Sequence, residues 1–212
     1  MPLKKFFFIA ISLFSSLNTT SKRYTIMLSP SGHAQDTGRP LLDGFERGAT
    51  RQLAEEVKKK LEKKLSARII LTHNAGEVIT QEQKASFANR LNIDLYIALT
   101  IYNDDSLAIN PYYYKNEAFN PVVNDRLTFY PTQKAYLQSA QKTAAIVQQD
   151  IFSKKYLTTF KINKPVGIPV KLLEGVTTSA FLFEISIKKI DDILTYVKPL
   201  THAIRKIIDV IS

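Results

Sequence analysis

The first hundred residues alternate between short apolar runs and amphipathic ones, and this alternation restricts the fold more than any other feature. "YTIML" (Tyr24 to Leu28) reads as a buried first strand. From Phe45, apolar residues recur at Ala49, Leu53, Val57, Leu61 and Leu65 with Lys and Glu between them, which predicts a helix with one buried stripe. "ARIILT" (Ala67 to Thr72) is apolar and β-branched, a second strand. "TQEQKASFANRLN" has helical spacing at Ala85, Ala88 and Leu91, and Thr80 is placed to cap it. "DLYIALTI" (Asp94 to Ile101) is a third strand. Strands joined through helices need right-handed crossovers. The expected fold is therefore α/β: a three-layer, mainly parallel twisted sheet with helices on both faces.

The chain changes character after Ile101. Residues 102–133 are rich in Asn, Tyr and Pro and read as an irregular insertion, with a short strand at Tyr112 to Tyr114. The three adjacent tyrosines suit either stacking on sugar rings or cover for the core. A helix is expected over about Lys134 to Phe152. "IPVKLLE" (Ile168 to Glu174) and "SAFLFEISI" (Ser179 to Ile187) are further strand candidates. Asp191 is placed to cap a last helix reaching Ile211, with Pro199 kinking or interrupting it.

"MPLKK", the apolar run "FFFIAISLF" and the small polar "SSLNTTS" have the three-part layout of a secretory signal over residues 1–21. That leaves 22–212 as one domain. The apolar run is well short of the ~20 residues of a spanning helix. The mature protein is expected to be exported, periplasmic or extracellular, with no stable membrane insertion. The 212 residues carry no cysteine, which removes disulfides, thiol nucleophiles and Cys-ligated zinc. A net charge of +10 suits an anionic partner such as nucleic acid, acidic lipid or wall polymer. Much of it lies in "KKKLEKK" (Lys58 to Lys64), read as the wet face of a helix.

In an open α/β sheet, ligands bind beyond the carboxyl ends of the strands. His33, one of only three histidines, follows the first strand there, in "LSPSGHAQDTG". Glu46 lies in the first turn of the next helix. Glu184 interrupts the otherwise apolar "FLFEI", and a carboxylate in a buried strand is costly unless paired, metal-bound or at the wet end.

In this arrangement the chain resembles the zinc-dependent N-acetylmuramoyl-L-alanine amidases of the amidase-3 type. "GHAQDTG" (Gly32 to Gly38) matches in outline the family's Gly-His-Gly-Gly-x-Asp-x-Gly segment. Glu46 falls where the family has a glutamate ligand opening a long helix. "IILTH" stands for a strand ending in Thr-Arg, with His73 replacing the arginine. "FANRLNIDLYIAL" matches a later segment in part, through Ala88, Asn89 and Asp94. "TSAFLFEISIKK" aligns Glu184 with the catalytic carboxylate. The resemblance covers roughly residues 24–212. It implies a zinc ion held by His33 and Glu46, with Glu184 as general base, cleaving the amide between N-acetylmuramic acid and L-alanine. The partner implied is peptidoglycan or a muropeptide, and no nucleic acid.

The family's second imidazole ligand falls on Thr100, a hydroxyl. Ala34 replaces the glycine after the first histidine, and the family's Ser-Asn after the catalytic Glu is lost. A catalytic zinc takes three protein ligands and a water. Either another residue completes the site or the site is inactive. His73 is the candidate substitute, followed by Asp104 and Asp105; His202 reads as structural or exposed. Three functions therefore stand open: a zinc amidase, a catalytically inactive amidase-fold protein binding wall fragments or a protein partner, and an unrelated exported α/β binding protein.

Overall fold

A computed structural model describes residues 23–115 and 131–212, and the side chains of all of these but 131–137. In chain order the elements are β1 (Tyr24–Pro30), β2 (Pro40–Leu41), β3 (Gly44–Phe45), α1 (Glu46–Glu62), β4 (Ala67–Leu71), α2 (Gln81–Arg90), β5 (Leu95–Asn103), β6 (Ala108–Tyr114), α3 (Pro131–Val147), β7 (Lys161–Ile162), β8 (Val166–Ile168), β9 (Ser179–Ile187) and α4 (Ile193–Ile211). Short 3-10 turns occur at Lys154–Tyr156, Lys171–Leu173 and Ile190–Asp192.

Seven strands make one sheet, ordered β4-β1-β5-β9-β6-β7 with β8 also on β6. β4, β1, β5 and β9 run parallel, and β6 runs antiparallel to β9. Successive side chains point to opposite faces of a strand. On one face Ile26, Leu28, Ile97, Leu99, Phe181 and Phe183 join the buried stripes of α1 and α4. On the other, Met27, Tyr96, Ala98 and Leu182 pack with Ala85 and Ala88 of α2. This is the three-layer α/β arrangement expected from the alternation.

Local chemistry explains the matches. α1 buries Ala49, Leu53, Val57 and Leu61, the residues whose spacing predicted it. Thr80 closes a full capping box with Gln83, each side chain bonding the other's backbone N–H at 3.3 and 2.9 Å.

Five expectations change. Of the stretch 102–133, residues 102–103 finish β5, 108–114 form the sheet strand β6 and 131–133 open α3; residues 116–130 lie outside those described. The helix expected over 134–152 runs from Pro131 to Val147. "IPVKLLE" is the end of β8 and a 3-10 turn, because Pro165 and Pro169 bracket a strand of only three residues. Asp192, not Asp191, anchors the start of the last helical segment, its Oδ2 accepting the N–H groups of Lys188 and Lys189 at 3.0 and 3.1 Å. α4 then passes Pro199 unbroken. A proline in a helix costs ~3 kcal/mol, and here an apolar stripe from Ile193 to Ile208 offsets it by burial. The leader expected at 1–21 lies outside the described residues. No helix among those described is long and apolar enough to cross a membrane.

Candidate functional site at the carboxyl edge of the sheet

Past the end of β1 the chain makes a hook. His33 and Asp36 exchange backbone hydrogen bonds at 2.8 and 3.0 Å, and the Asp36 carboxylate accepts from Gly38 N at 2.9 Å. Gly32 has φ +76°, and a Cβ there would lie 2.8 Å from Arg47 Cβ. Gly38 has φ +69°, and a Cβ there would lie 2.9 Å from Glu46 Oε2. Both positions therefore need glycine, for conformation and for room. Arg47 pins the hook by donating from Nη1 to the carbonyls of His33 and Ala34, each at 2.9 Å.

The hook returns the chain to the sheet beside Glu46, the first residue of α1, which is 4% exposed. β1 has ended there, so the N–H of Ile101 on β5 lacks a strand partner. Glu46 Oε1 accepts it at 3.0 Å, together with the Ser31 hydroxyl at 2.8 Å. Oε2 accepts from Arg39 N at 3.0 Å. The carboxylate thus takes over the last rung of the ladder. Hydrogen bonds to a charged group contribute about 1.5–3 kcal/mol each.

Glu184 lies on β9, level with Thr100 on β5 and Asn110 on β6. All three share the face that α2 covers further along. Its carboxylate is partnered: Oε1 accepts from Arg39 Nη1 at 2.8 Å, and Oε2 from the Tyr112 hydroxyl at 3.3 Å. The same guanidinium has Nε 4.0 Å from Glu46 Oε2, and it lies 5.9 Å from the centre of the Tyr102 ring. Arg39 therefore stands between the two acidic residues and supplies the positive charge they share. Burial, then the charge of Glu184, pushes the Tyr112 phenol up, so it stays protonated and donates. Asn89 fixes the approach to β9. Its amide donates to Gly175 O at 2.8 Å and accepts from Thr177 N at 3.0 Å.

His33 and His73 both line a cavity of about 320 Å³, walled also by Ser31, Arg47, Arg51 and Ala75. Glu46, Thr100 and Glu184 are not among its lining residues. His33 Nδ1 takes the N–H of Gln35 at 3.3 Å. His73 is buried, with Nδ1 2.9 Å from the Thr72 hydroxyl. Burial, with Lys84 and Arg51 nearby, pushes its pKa down to about 4, so it is neutral at physiological pH. Asp104 is exposed and bonded within its own turn to Ser106, and Asp105 is exposed. His202 on α4 packs edge-on against Tyr156, with ring centres 5.8 Å apart.

These residues do not fit a catalytic zinc ion. Glu46 has its oxygens engaged by three donors and the Arg39 charge beside them. Thr100 offers only a hydroxyl, buried and without a hydrogen-bond partner. Among the described residues, no group of three or more His, Cys, Asp or Glu side chains could hold a metal. Tetrahedral zinc needs three such donors converging at ~2.0–2.2 Å.

Sequence reasoning singled out Glu46 and Glu184 but not Arg39, which lies against both. The available signal was a basic residue right after Gly38, in the hook that leads to Glu46.

No family model and no curated protein sequence matches the chain. Solved structures do. The catalytic domain of the N-acetylmuramoyl-L-alanine amidase CwlV from Bacillus (Paenibacillus) polymyxa var. colistinus is 12% identical with a TM-score of 0.60, over 88% of this chain and 99% of that one. The amidase AmiC2 of Nostoc punctiforme is 17% identical with a TM-score of 0.62, over 89% and 97%. An N-acetylmuramoyl-L-alanine amidase from Clostridium difficile 630 is 16% identical with a TM-score of 0.60, again over 89% and 97%. At this coverage the chain shares the α/β fold of these N-acetylmuramoyl-L-alanine amidase structures.

Proposed function

We propose that this protein is exported and uses the amidase fold to bind peptidoglycan fragments at the carboxyl edge of its sheet, without zinc-dependent hydrolysis. The observation that carries this reading is Arg39, whose guanidinium lies against both acidic side chains, with Nη1 2.8 Å from Glu184 Oε1 and Nε 4.0 Å from Glu46 Oε2. A metal drawn to the acidic pair would compete with this guanidinium and with the three hydrogen bonds that Glu46 accepts.

The edge suits a muropeptide as a ligand. Arg39 is 50% exposed, so its free N–H groups are open to a stem-peptide carboxylate. Tyr102 and Tyr112 flank it with half-buried rings on which a sugar can stack.

The second reading, a working zinc amidase with His33, Glu46 and His73 as ligands and Glu184 as base, draws on the fold likeness. Incubation of the purified chain with peptidoglycan sacculi separates the two. The binding reading expects the protein to sediment with sacculi and to release no stem peptides, with Arg39→Ala weakening the sedimentation. Release of free stem peptides by the wild-type chain, lost in Glu184→Gln, contradicts it and supports the amidase.

A further inference from the structure

A second polar site lies away from the carboxyl edge. Lys60 and Lys64 stand at the far end of α1 from Glu46, roughly 20 Å along the helix. Lys198, His202 and Arg205 follow one another at helical spacing on α4, which packs against α1. Lys155 and Tyr156 come from the 3-10 turn after α3. Together they enclose one hollow of about 260 Å³, and no carboxylate lines it.

The charges there are unbalanced. Lys58 and Lys59, just before Lys60 on α1, have ion-pair partners in Glu62 and Glu56 at 3.8 and 2.5 Å. None of Lys60, Lys64, Lys155, Lys198 and Arg205 is ion-paired among the described residues. Lys155 Nζ instead sits 5.0 Å from the centre of the Tyr156 ring, and that ring packs on His202. Burial and the charges of Lys155, Lys206 and Arg205 lower the His202 pKa, with only Asp209 opposing them. Five like charges around one small hollow repel one another. That repulsion disappears when an anion enters.

We propose that this hollow is a binding site for a phosphate group. A phosphate carries up to two charges and three acceptor oxygens, which suits cations converging from three directions. The Tyr156 ring gives a wall for the group that carries it. The hollow is a single bounded pocket rather than a basic stripe, so it fits one phosphate and not a long nucleic-acid backbone. Two sources share this chemistry, a soluble phosphorylated compound and a lipid headgroup. The site is independent of the function proposed for the carboxyl edge.

Calorimetry of the full chain with inorganic pyrophosphate at low salt tests it, beside sedimentation with vesicles of phosphatidylglycerol in phosphatidylcholine. Three proteins are compared: wild type, Lys198→Gln with Arg205→Gln, and Lys58→Gln with Lys59→Gln. Both double variants lose two charges, but only the first touches the hollow. All four residues are at the helix surface, and circular dichroism confirms folding. The expected result is saturable binding that falls about tenfold or more in the first variant and no more than about twofold in the second. Loss of pyrophosphate binding alone assigns a soluble ligand, and matching loss of vesicle binding, with pyrophosphate competing, assigns a headgroup. Either result supports the site. Equal losses in the two variants, or no binding of either probe by the wild type, overturn it.

Discussion

The carboxyl edge of the sheet has two halves, and they treat their functional groups differently. In one, Arg39 lies against both Glu46 and Glu184, the latter 145 positions away in sequence. In the other, His33 and His73 line an apolar-walled cavity, and His73 is held neutral by burial. The ligands (His33, Glu46 and His73) and the base (Glu184) that the resemblance suggests for one zinc site thus fall in two settings, the carboxylates beside Arg39 and the imidazoles along the cavity wall. In the acidic half one guanidinium serves two carboxylates.

This contrast is open to test by mutation. The largest effect belongs to Glu46→Ala. It leaves Ile101 N–H, the Ser31 hydroxyl and Arg39 N–H without their acceptor, and the expected loss is about 3 kcal/mol in urea unfolding. A loss near that of an ordinary surface change would break the comparison. Arg39→Ala comes next, at about 1 kcal/mol, because the side chain is half exposed and its ion pairs are screened. A double-mutant cycle with Glu184→Gln should show coupling between the two, and simple additivity would remove the bridge.

His73 gives a pH signature. Its folded pKa is about 4 against an ordinary 6.5, so the folded state resists its protonation. Its neutral form supports the fold fully above pH ~6.5, and that support fades as pH falls toward ~4. In His73→Gln the part of the pH dependence due to this group should vanish, leaving a flatter stability profile over that window than the wild type shows. Identical profiles would place His73 in water. The smallest effect is expected from His33→Ala, within about 0.5 kcal/mol, because its ring makes one long contact at 3.3 Å. A much larger cost would show that the ring holds something the cavity alone does not explain.

Local signals were legible and distant ones were not. The stripe of α1, the capping box at Thr80 and the apolar runs of β1, β4 and β5 each depend on neighbours within a few residues. The misfit of Glu184 in an apolar strand could be seen in the same way. Of β6 only the strand at Tyr112 to Tyr114 was legible; its start was obscured because Asn110 and Pro111 read as a loop, while its pairing partner β9 lies some seventy residues on. Pro199 suggested a break that tertiary burial overrides. Arg39 was invisible for a related reason: nothing in "TGRPLL" says that its side chain reaches Glu184. Which of several plausible ligands a carboxylate chooses is decided by such long-range geometry.

In the proposed reading a guanidinium, and not a metal, is the counter-charge that Glu46 and Glu184 share. Calorimetric titration of zinc into the purified chain at neutral pH tests it most directly. The account predicts no saturable one-to-one binding. One equivalent of tightly bound zinc, lost in both His33→Ala and Glu46→Ala variants that remain folded, would contradict it.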